Sequence, residues 1–192
     1  MTEKLTSSTV VSFAESNDLW HRAKESLHAG QVAEAESLYK QALDKRIAAL
    51  GEGDHTVGEI IDEIGVMYLH TGKIEAAKAE FQRALGLLEK SFYPGHYYLG
   101  SVVEHLGDCA VKEAKWDEAE VQFKRALEIY EKTLSADHRS ILIAMHKLSE
   151  TYRHSSKFTE AETVINKGLK QIDSPLGPSE EFRYELALLY QA

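Results

Sequence analysis

Carboxylates recur at helical spacings near the middle of the 192-residue chain, and paired carboxylates are groups that can act as general acids and bases. The set consists of Glu59, Asp62, Glu63, Glu104 and Asp108. Glycosidase or other acid–base chemistry needs a pocket that buries such groups and separates their pKa values. The pattern around them predicts open helical faces instead. Two interpretations follow: an ordinary solvated surface, or an exposed acidic patch that docks a basic segment.

Histidine can act as an acid, a base or a metal ligand, and the sequence contains nine. His55, His96 and His138 stand in short Gly- or Asp-containing segments, where a turn or helix-capping role is expected. The other six are His21, His28, His70, His105, His146 and His154. A metal site needs three or four converging ligands, and no such grouping is visible. We therefore expect no metal and no cofactor, and a solvated surface or a contribution to peptide binding both remain open.

Two other motifs invite a chemical interpretation and do not support one. Gly72-Lys73 resembles part of a phosphate-binding loop, but six residues separate Gly65 from Gly72 and Ile74 follows the lysine. Those spacings do not form the backbone cradle that such a loop requires. Cys109 is the single cysteine, which excludes an intramolecular disulfide and favours a buried, inert thiol.

Composition restricts the class of protein. Hydrophobic residues make up 43% and charged residues 28%, which is typical of an ordered soluble chain. The net charge of −9 argues against nucleic acid and anionic membranes as partners. The N-terminus lacks the pattern of a signal peptide, and no apolar run is long enough to span a bilayer. These features predict a cytoplasmic protein.

A repeated segment organises the whole sequence. Four similar six-residue segments begin at positions 30, 72, 114 and 156, which are 42 residues apart: Gly30–Ala35, Gly72–Ala77, Ala114–Ala119 and Ser156–Ala161. Seven residues after each final alanine stands another small residue: Ala42, Ala84, Ala126 or Gly168. Between them fall large apolar residues: Tyr39, Phe81, Phe123 and Ile165. Four copies in register indicate a repeat architecture.

The segment before each turn has apolar residues at intervals of three and four, which is the period of a helix face. Gly65 and Gly107 lie on this face, where they would let two helices approach closely while large residues fill the space beside them. Each unit is therefore predicted to be helix, tight turn, helix, with Gly72 as a left-handed helix C-cap.

This pattern resembles the tetratricopeptide repeat, W-x₂-L-G-x₂-Y…A-x₃-F, in a form longer than its usual period of about 34 residues. The Gly/Asp/His connections, such as Gly51–His55, resemble those of the kinesin light chain class. The resemblance implies an all-α fold, an α-solenoid in which antiparallel helix pairs form a right-handed superhelix. The implied organisation is a flexible tail 1–14 and one solenoid 15–192, with units 16–57, 58–99, 100–141 and 142–178 and a capping helix 179–192.

In such repeats the first helices of the units line a concave groove. The resemblance implies these partner-facing residues: Lys24, His28, Glu59, Asp62, Glu63, His70, Glu104, His105, Asp108, Lys112, His146, Lys147, Glu150 and His154. Kinesin light chains carry a groove asparagine where this chain has Glu63, His105, Lys147 and Glu185. With only Asn17 and Asn166 present, the asparagine-containing clamp of chaperone-binding repeats cannot form either.

The functional hypothesis is a non-enzymatic protein-interaction module that binds a peptide or helix, with a basic or amphipathic segment, in the concave groove. The alternative is an assembly subunit that self-associates or packs in a complex through its convex face or ends. A homo-oligomer is compatible with either hypothesis.

Overall fold

In the computed structural model, residues 7–93 and 96–171 are described, and within them every regular element is an α-helix. The chain forms two compact units, each of two repeats: unit 1 is Met1–Tyr93 and unit 2 is Pro94–Ala192. Unit 1 contains α1 (Ser7–His28), α2 (Val32–Leu50), α3 (His55–His70) and α4 (Ile74–Ser91). Unit 2 contains α5 (Tyr97–Lys112), α6 (Trp116–Thr133), α7 (Arg139–His154) and α8 (Phe158–Gln171).

The helices pack in consecutive pairs. In unit 1, α1 packs on α2 and α3 on α4, and α2 also contacts α3. Unit 2 repeats this arrangement with α5 on α6, α7 on α8, and α6 against α7. The predicted helix–turn–helix units are confirmed. None of the described helices is long and apolar enough to cross a membrane.

Small residues on the first helix of a pair make room for a large side chain of the second, as predicted. A Cβ atom at Gly65 would lie 2.6 Å from the ring of Phe81, and one at Gly107 would lie 2.5 Å from the ring of Phe123. A second contact of the same kind, which was not predicted from the sequence, lies seven residues before Gly107: a Cβ at Gly100 would lie 2.6 Å from the ring of Tyr130.

The tight turn within each helix pair has one residue in the left-handed region. Backbone φ is +76° at Gly30 and at Gly72, as predicted for Gly72, but also +55° at Ala114 and +58° at Ser156. After Gly72, the Lys73 N–H donates to the Tyr68 carbonyl at 2.9 Å, and the Gly72 N–H donates to the Leu69 carbonyl at 3.1 Å. This is the Schellman pattern, and it satisfies carbonyls that the end of a helix leaves unpaired.

The loops between pairs cap the next helix. Nδ1 of His96 accepts from the Tyr98 N–H at 3.3 Å, and Nδ1 of His138 accepts from the Ser140 N–H at 3.2 Å. The capping role predicted for these two histidines is confirmed. At the equivalent turn of unit 1 the cap is Asp54, one residue before His55.

A flexible tail was expected over residues 1–14, but α1 begins at Ser7, so residues 7–14 are helical. The reason is tertiary: the Arg46 guanidinium on α2 lies 4.4 Å from the Phe13 ring centroid, and its Nε donates to the Ser16 hydroxyl at 3.1 Å. Arg46 is almost fully buried. The predicted capping helix 179–192 lies outside the described residues.

The close contact at Gly65 can be tested by adding one methyl group. Gly65→Ala should lower the free energy of unfolding by about 1–3 kcal/mol, because Phe81 must move away. Gly86→Ala is the matched control in α4, where nothing lies within 4 Å of an added Cβ. That change should stabilise the protein by about 0.5–1 kcal/mol, since glycine disfavours helix interiors. Thermal unfolding followed by circular dichroism measures both, and equal effects would contradict the packing.

At the two left-handed turn positions that are not glycine, a substitution to glycine should raise the free energy of unfolding. Ala114→Gly and Ser156→Gly should each stabilise the fold by about 0.5–1 kcal/mol, because the strain of a left-handed L-residue exceeds the added chain entropy of glycine. Ala79→Gly, at an exposed site inside α4, should instead destabilise by about 1 kcal/mol. Chemical denaturation measures these differences, and destabilisation by the two turn variants would refute the assigned backbone strain.

Candidate partner-binding faces

In unit 1 the predicted groove residues form an ion pair between neighbouring first helices. Nζ of Lys24 on α1 donates to Oε1 of Glu63 on α3 at 2.7 Å. The Tyr39 hydroxyl on α2 donates to Oε2 of Glu63 at 3.4 Å. Burial, reinforced by the Glu63 carboxylate, raises the pKa of Tyr39 well above its ordinary value. The carboxylate of Glu63 is therefore held from two helices.

The other two carboxylates of α3 are less accessible than expected. Asp62 is only 4% exposed, and Glu59 is half-buried. The expectation of an exposed acidic surface is wrong at Asp62. The physical reason is that α3 is covered on two sides, since it packs against both α2 and α4.

Unit 2 has a larger polar network at the corresponding place. Nζ of Lys147 on α7 donates to Glu104 at 2.6 Å and to Asp108 at 2.7 Å, both on α5. The Tyr130 hydroxyl on α6 donates to the other Glu104 oxygen at 3.1 Å and lies 3.2 Å from the Ser101 hydroxyl. Glu104 is 9% exposed, so the expectation that it is solvated is also wrong. One lysine thus joins two first helices, and a tyrosine anchors the network to the second helix.

The ionisation of this network follows from its burial and its charges. For Lys147, burial alone would lower the pKa, but Asp108 and Glu104 outweigh it and raise the pKa above its ordinary value. For Asp108, burial raises the pKa and Lys147 only partly offsets the increase. Both pKa values are raised, but the consequences for charge are opposite: the two carboxylates favour the charged form of Lys147, whereas burial and the neighbouring Glu104 disfavour the charged form of Asp108. Lys147 therefore stays charged at neutral pH.

The ion pairs of the two units occupy equivalent positions with opposite polarity. Lys24 and Asp108 are 84 residues apart, which is two repeat periods, and so are Glu63 and Lys147. Unit 1 therefore places the lysine on the earlier first helix, and unit 2 places it on the later one. Lys24 and Lys147 therefore compensate part of the charge of the predicted acidic patch, one lysine in each unit.

A second type of network, which the sequence analysis missed, lies where the turns meet the second helices. Glu36 accepts from Lys40 at 2.7 Å, from Tyr68 at 3.0 Å and from Lys73 at 3.2 Å. The hydrogen bond from Lys40, with those from Lys73 and Tyr68, outweighs burial and lowers the pKa of Glu36 to about 2.

The counterpart of this network in unit 2 centres on Glu120, two repeat periods after Glu36. Glu120 accepts from Lys124 at 2.5 Å and from Lys157 at 2.6 Å. Although burial opposes it, the pKa of Glu120 is lowered by these two lysines. The repetition of charges at this interval was available in the sequence and identifies both clusters.

The remaining predicted residues lie along the same first helices. His28, His70, Lys112 and His154 are the last residues of α1, α3, α5 and α7 and are exposed. His105, His146 and Glu150 are half-buried. The His154 ring stacks on Trp116 with centroids 4.4 Å apart and planes 6° apart. Among the described residues, no three His, Cys, Asp or Glu side chains converge as metal ligands would.

Three models of the tetratricopeptide repeat match the sequence, over residues 26–56, 59–89 and 98–171. Together these segments cover more than half of the chain. No curated protein matches the sequence.

Solved structures share the fold over most of this chain. The nearly identical TPR-like repeats of a kinesin light chain candidate from Podosopora anserina are 21% identical, with a TM-score of 0.79, over 91% of this chain and 85% of that chain. BtubC (BKLC) from P. vanneervenii is 17% identical, with a TM-score of 0.81, over 96% and 81% respectively. Aspartyl phosphate phosphatase F from Bacillus subtilis is 15% identical, with a TM-score of 0.79, over 92% and 45%. At these identities the similarity shows a shared α-solenoid fold.

The unit 2 network is testable by removing its cation. Lys147→Met keeps the aliphatic stem but leaves the buried Glu104 and the half-buried Asp108 without a lysine, so the free energy of unfolding should fall by about 1–3 kcal/mol at neutral pH. Lys132→Met is the control, because Lys132 and its partner Glu128 are 65% and 67% exposed and should contribute little. Urea denaturation measures both variants.

The pH dependence of the stabilisation by Lys147 follows from the raised pKa of this lysine. A raised lysine pKa means that the contribution of Lys147 is fully present at neutral pH and is lost only as pH rises through that value. The difference between Lys147→Met and wild type should also shrink on acidification, because protonated carboxyls need no cation. A difference that stays constant down to about pH 3, below the ordinary carboxyl range, would contradict this account.

Proposed function

The chain belongs to the tetratricopeptide repeat family, and from this premise we propose that it is a non-enzymatic module that binds a peptide or helix of a partner protein. Repeats of this family generally serve as protein-interaction modules. Stacked helix pairs present extended surfaces whose side chains can be changed without disturbing the scaffold.

In each unit the proposed contact surface is its first-helix face, defined as the accessible side chains of α1 and α3 in unit 1 and of α5 and α7 in unit 2. The observation that carries this proposal is the network of Lys147 with Glu104 and Asp108, which holds two first helices together by hydrogen bonds of 2.6 and 2.7 Å. The pair of Lys24 and Glu63 does the same in unit 1. A face that is already ordered loses little conformational entropy when a partner docks.

The chemistry of this face favours an amphipathic segment over a purely basic one. Glu63, Glu104 and Asp108 already have lysine partners within their own unit, which offset part of their negative charge. The accessible side chains of these helices are of mixed type: His28, His70 and Lys112 are exposed, and Glu150 is half-buried. We place this activity in the cytoplasm, consistent with a sequence whose only cysteine, Cys109, is a buried thiol.

The test exchanges charges on the first-helix face without altering net charge. Lys112→Glu combined with Glu150→Lys should weaken binding of a partner, first isolated with the wild-type chain, by about tenfold or more, since complementary contacts become repulsive. The control combines Lys132→Glu with Glu128→Lys on α6, where both residues are exposed. Isothermal titration calorimetry at two salt concentrations measures the affinity of each variant.

Binding lost only in the α6 control would contradict the first-helix face and favour a surface of the second helices. Unchanged binding in both variants, together with concentration-dependent oligomers in light scattering, would support an assembly subunit. An affinity that falls steeply with salt would favour a basic partner segment over an amphipathic one.

A further inference from the structure

Three first helices have their N-cap at the same position of the repeat, but the residue at this position differs between the units. Asp54, His96 and His138 follow one another at intervals of 42 residues and immediately precede α3, α5 and α7. Their backbone angles are similar, with φ of −72°, −59° and −64° and ψ of 136°, 131° and 135°. This extended conformation is typical of N-cap residues. Unit 1 therefore caps α3 with a carboxylate, whereas unit 2 caps both of its first helices with an imidazole.

The three side chains make the same hydrogen bond. Each accepts from the backbone N–H two residues later, at 2.9 Å for Asp54, 3.3 Å for His96 and 3.2 Å for His138. This N–H belongs to the first turn of the helix, where backbone donors have no partner within the helix. The bond therefore helps to hold the first turns of α3, α5 and α7 in helical conformation.

An imidazole can be this acceptor only when it is neutral. Neutral imidazole has one acceptor nitrogen, and the imidazolium ion has none. In both caps the acceptor is Nδ1, so a proton that binds there replaces the acceptor with a second donor. The added positive charge also lies at the N-terminal end of a helix, which is the positive end of its dipole. Protonation and capping are therefore mutually exclusive at His96 and His138, whereas the carboxylate of an aspartate remains ionised down to about pH 4.

The charged groups around the two imidazole caps do not compensate a positive imidazolium. Tyr97 and Tyr98 follow His96, and phenols are uncharged at neutral and acidic pH. Among the described residues of unit 2, the charged side chains in the last turns of α6 and α8, the α6–α7 loop and the first turn of α7 are Glu131, Lys132, Asp137, Arg139 and Lys170. These are three cations and two carboxylates, so their sum is positive and disfavours a further positive charge.

We propose that His96 and His138 make unit 2 sensitive to mild acidification: as imidazoles become charged, near and below about pH 6.5, the first turns of α5 and α7 lose their caps, while Asp54 keeps α3 capped in unit 1. Ser101 and Glu104, which belong to the unit 2 network, lie within two turns of this end of α5. Acidification therefore loosens the end of the helix that carries them. Release of a partner from unit 2 would follow, and this consequence alone rests on the proposed function.

The sign of the pH dependence follows from the form of the imidazole that each state requires. The folded state caps α5 and α7 only with neutral imidazoles, whereas the unfolded chain binds the proton without this loss. The folded state therefore binds fewer protons. The stabilisation by the two caps is present at neutral pH and is lost as pH falls.

The first experiment removes both imidazoles with His96→Ala and His138→Ala in the full chain and records thermal unfolding by circular dichroism at about pH 7.5 and about pH 5. At the higher pH the double variant should melt about 4–8 °C below wild type, as expected for the loss of two N-caps. At the lower pH this difference should vanish or change sign, because wild type has then lost the caps as well. Asp54→Ala is the matched control: its carboxylate stays ionised, so the variant should lower the melting temperature by the same amount at both pH values.

A second double variant keeps the caps and removes their titration. Asparagine is as good an N-cap as aspartate, and its amide oxygen accepts the same hydrogen bond at both pH values. His96→Asn with His138→Asn should match wild type at about pH 7.5 and melt about 4–8 °C above it at about pH 5. Hydrogen exchange, corrected for the intrinsic rate at each pH, should place the wild-type loss of protection in the first turns of α5 and α7 and not in that of α3. None of these measurements needs a partner, so their outcome is independent of the proposed function.

Three results would overturn the proposal: a deficit of the alanine variant that is the same at both pH values, an asparagine variant that melts no higher than wild type at the lower pH, or an equal loss of protection in the first turns of α3, α5 and α7. The second result would assign the acid sensitivity of unit 2 to other groups, such as the network of Lys147 with Glu104 and Asp108.

Discussion

The close approach of the two helices in each pair is the constraint on which the rest of the structure depends. A Cβ at Gly100 would collide with the ring of Tyr130, and one at Gly107 with the ring of Phe123. The second helix therefore packs directly against the backbone of the first. Only at this distance can the Tyr130 hydroxyl reach Glu104. Glu104 in turn fixes Lys147, so a packing contact between glycine and an aromatic ring determines the geometry of a polar surface.

The charges of this surface are arranged in self-contained networks. Both units join adjacent first helices by a lysine and a carboxylate at equivalent positions, but with the polarity reversed. Half-buried pairs of this kind contribute less to stability than to specificity, because desolvation offsets much of the attraction. The reversal means that a lysine of unit 1 could not replace its counterpart in unit 2, where the same position holds Asp108. The charges of each pair are therefore matched within their own unit.

The first-helix face is polar, ordered by internal hydrogen bonds and of mixed charge. It is a consequence of the repeat itself, because the paired positions recur after two repeat periods. A change of side chain in one repeat leaves the others intact, since each repeat contacts only its neighbours.

The sequence by itself determined the repeat period, the helix pairs, the left-handed turn at Gly72 and the close helix approach at Gly65, because each depends on residues that are close along the chain or recur at a fixed interval. Only the tertiary structure decided which carboxylates are solvated. Helical periodicity places Asp62 and Glu104 on a face, but their exposure depends on how far neighbouring helices cover that face. The helical start at Ser7 was likewise decided by tertiary contact, since Arg46, which supports it, lies on the following helix. Burial and ion pairing between helices depend on distances across the fold, and a one-dimensional pattern does not contain those distances.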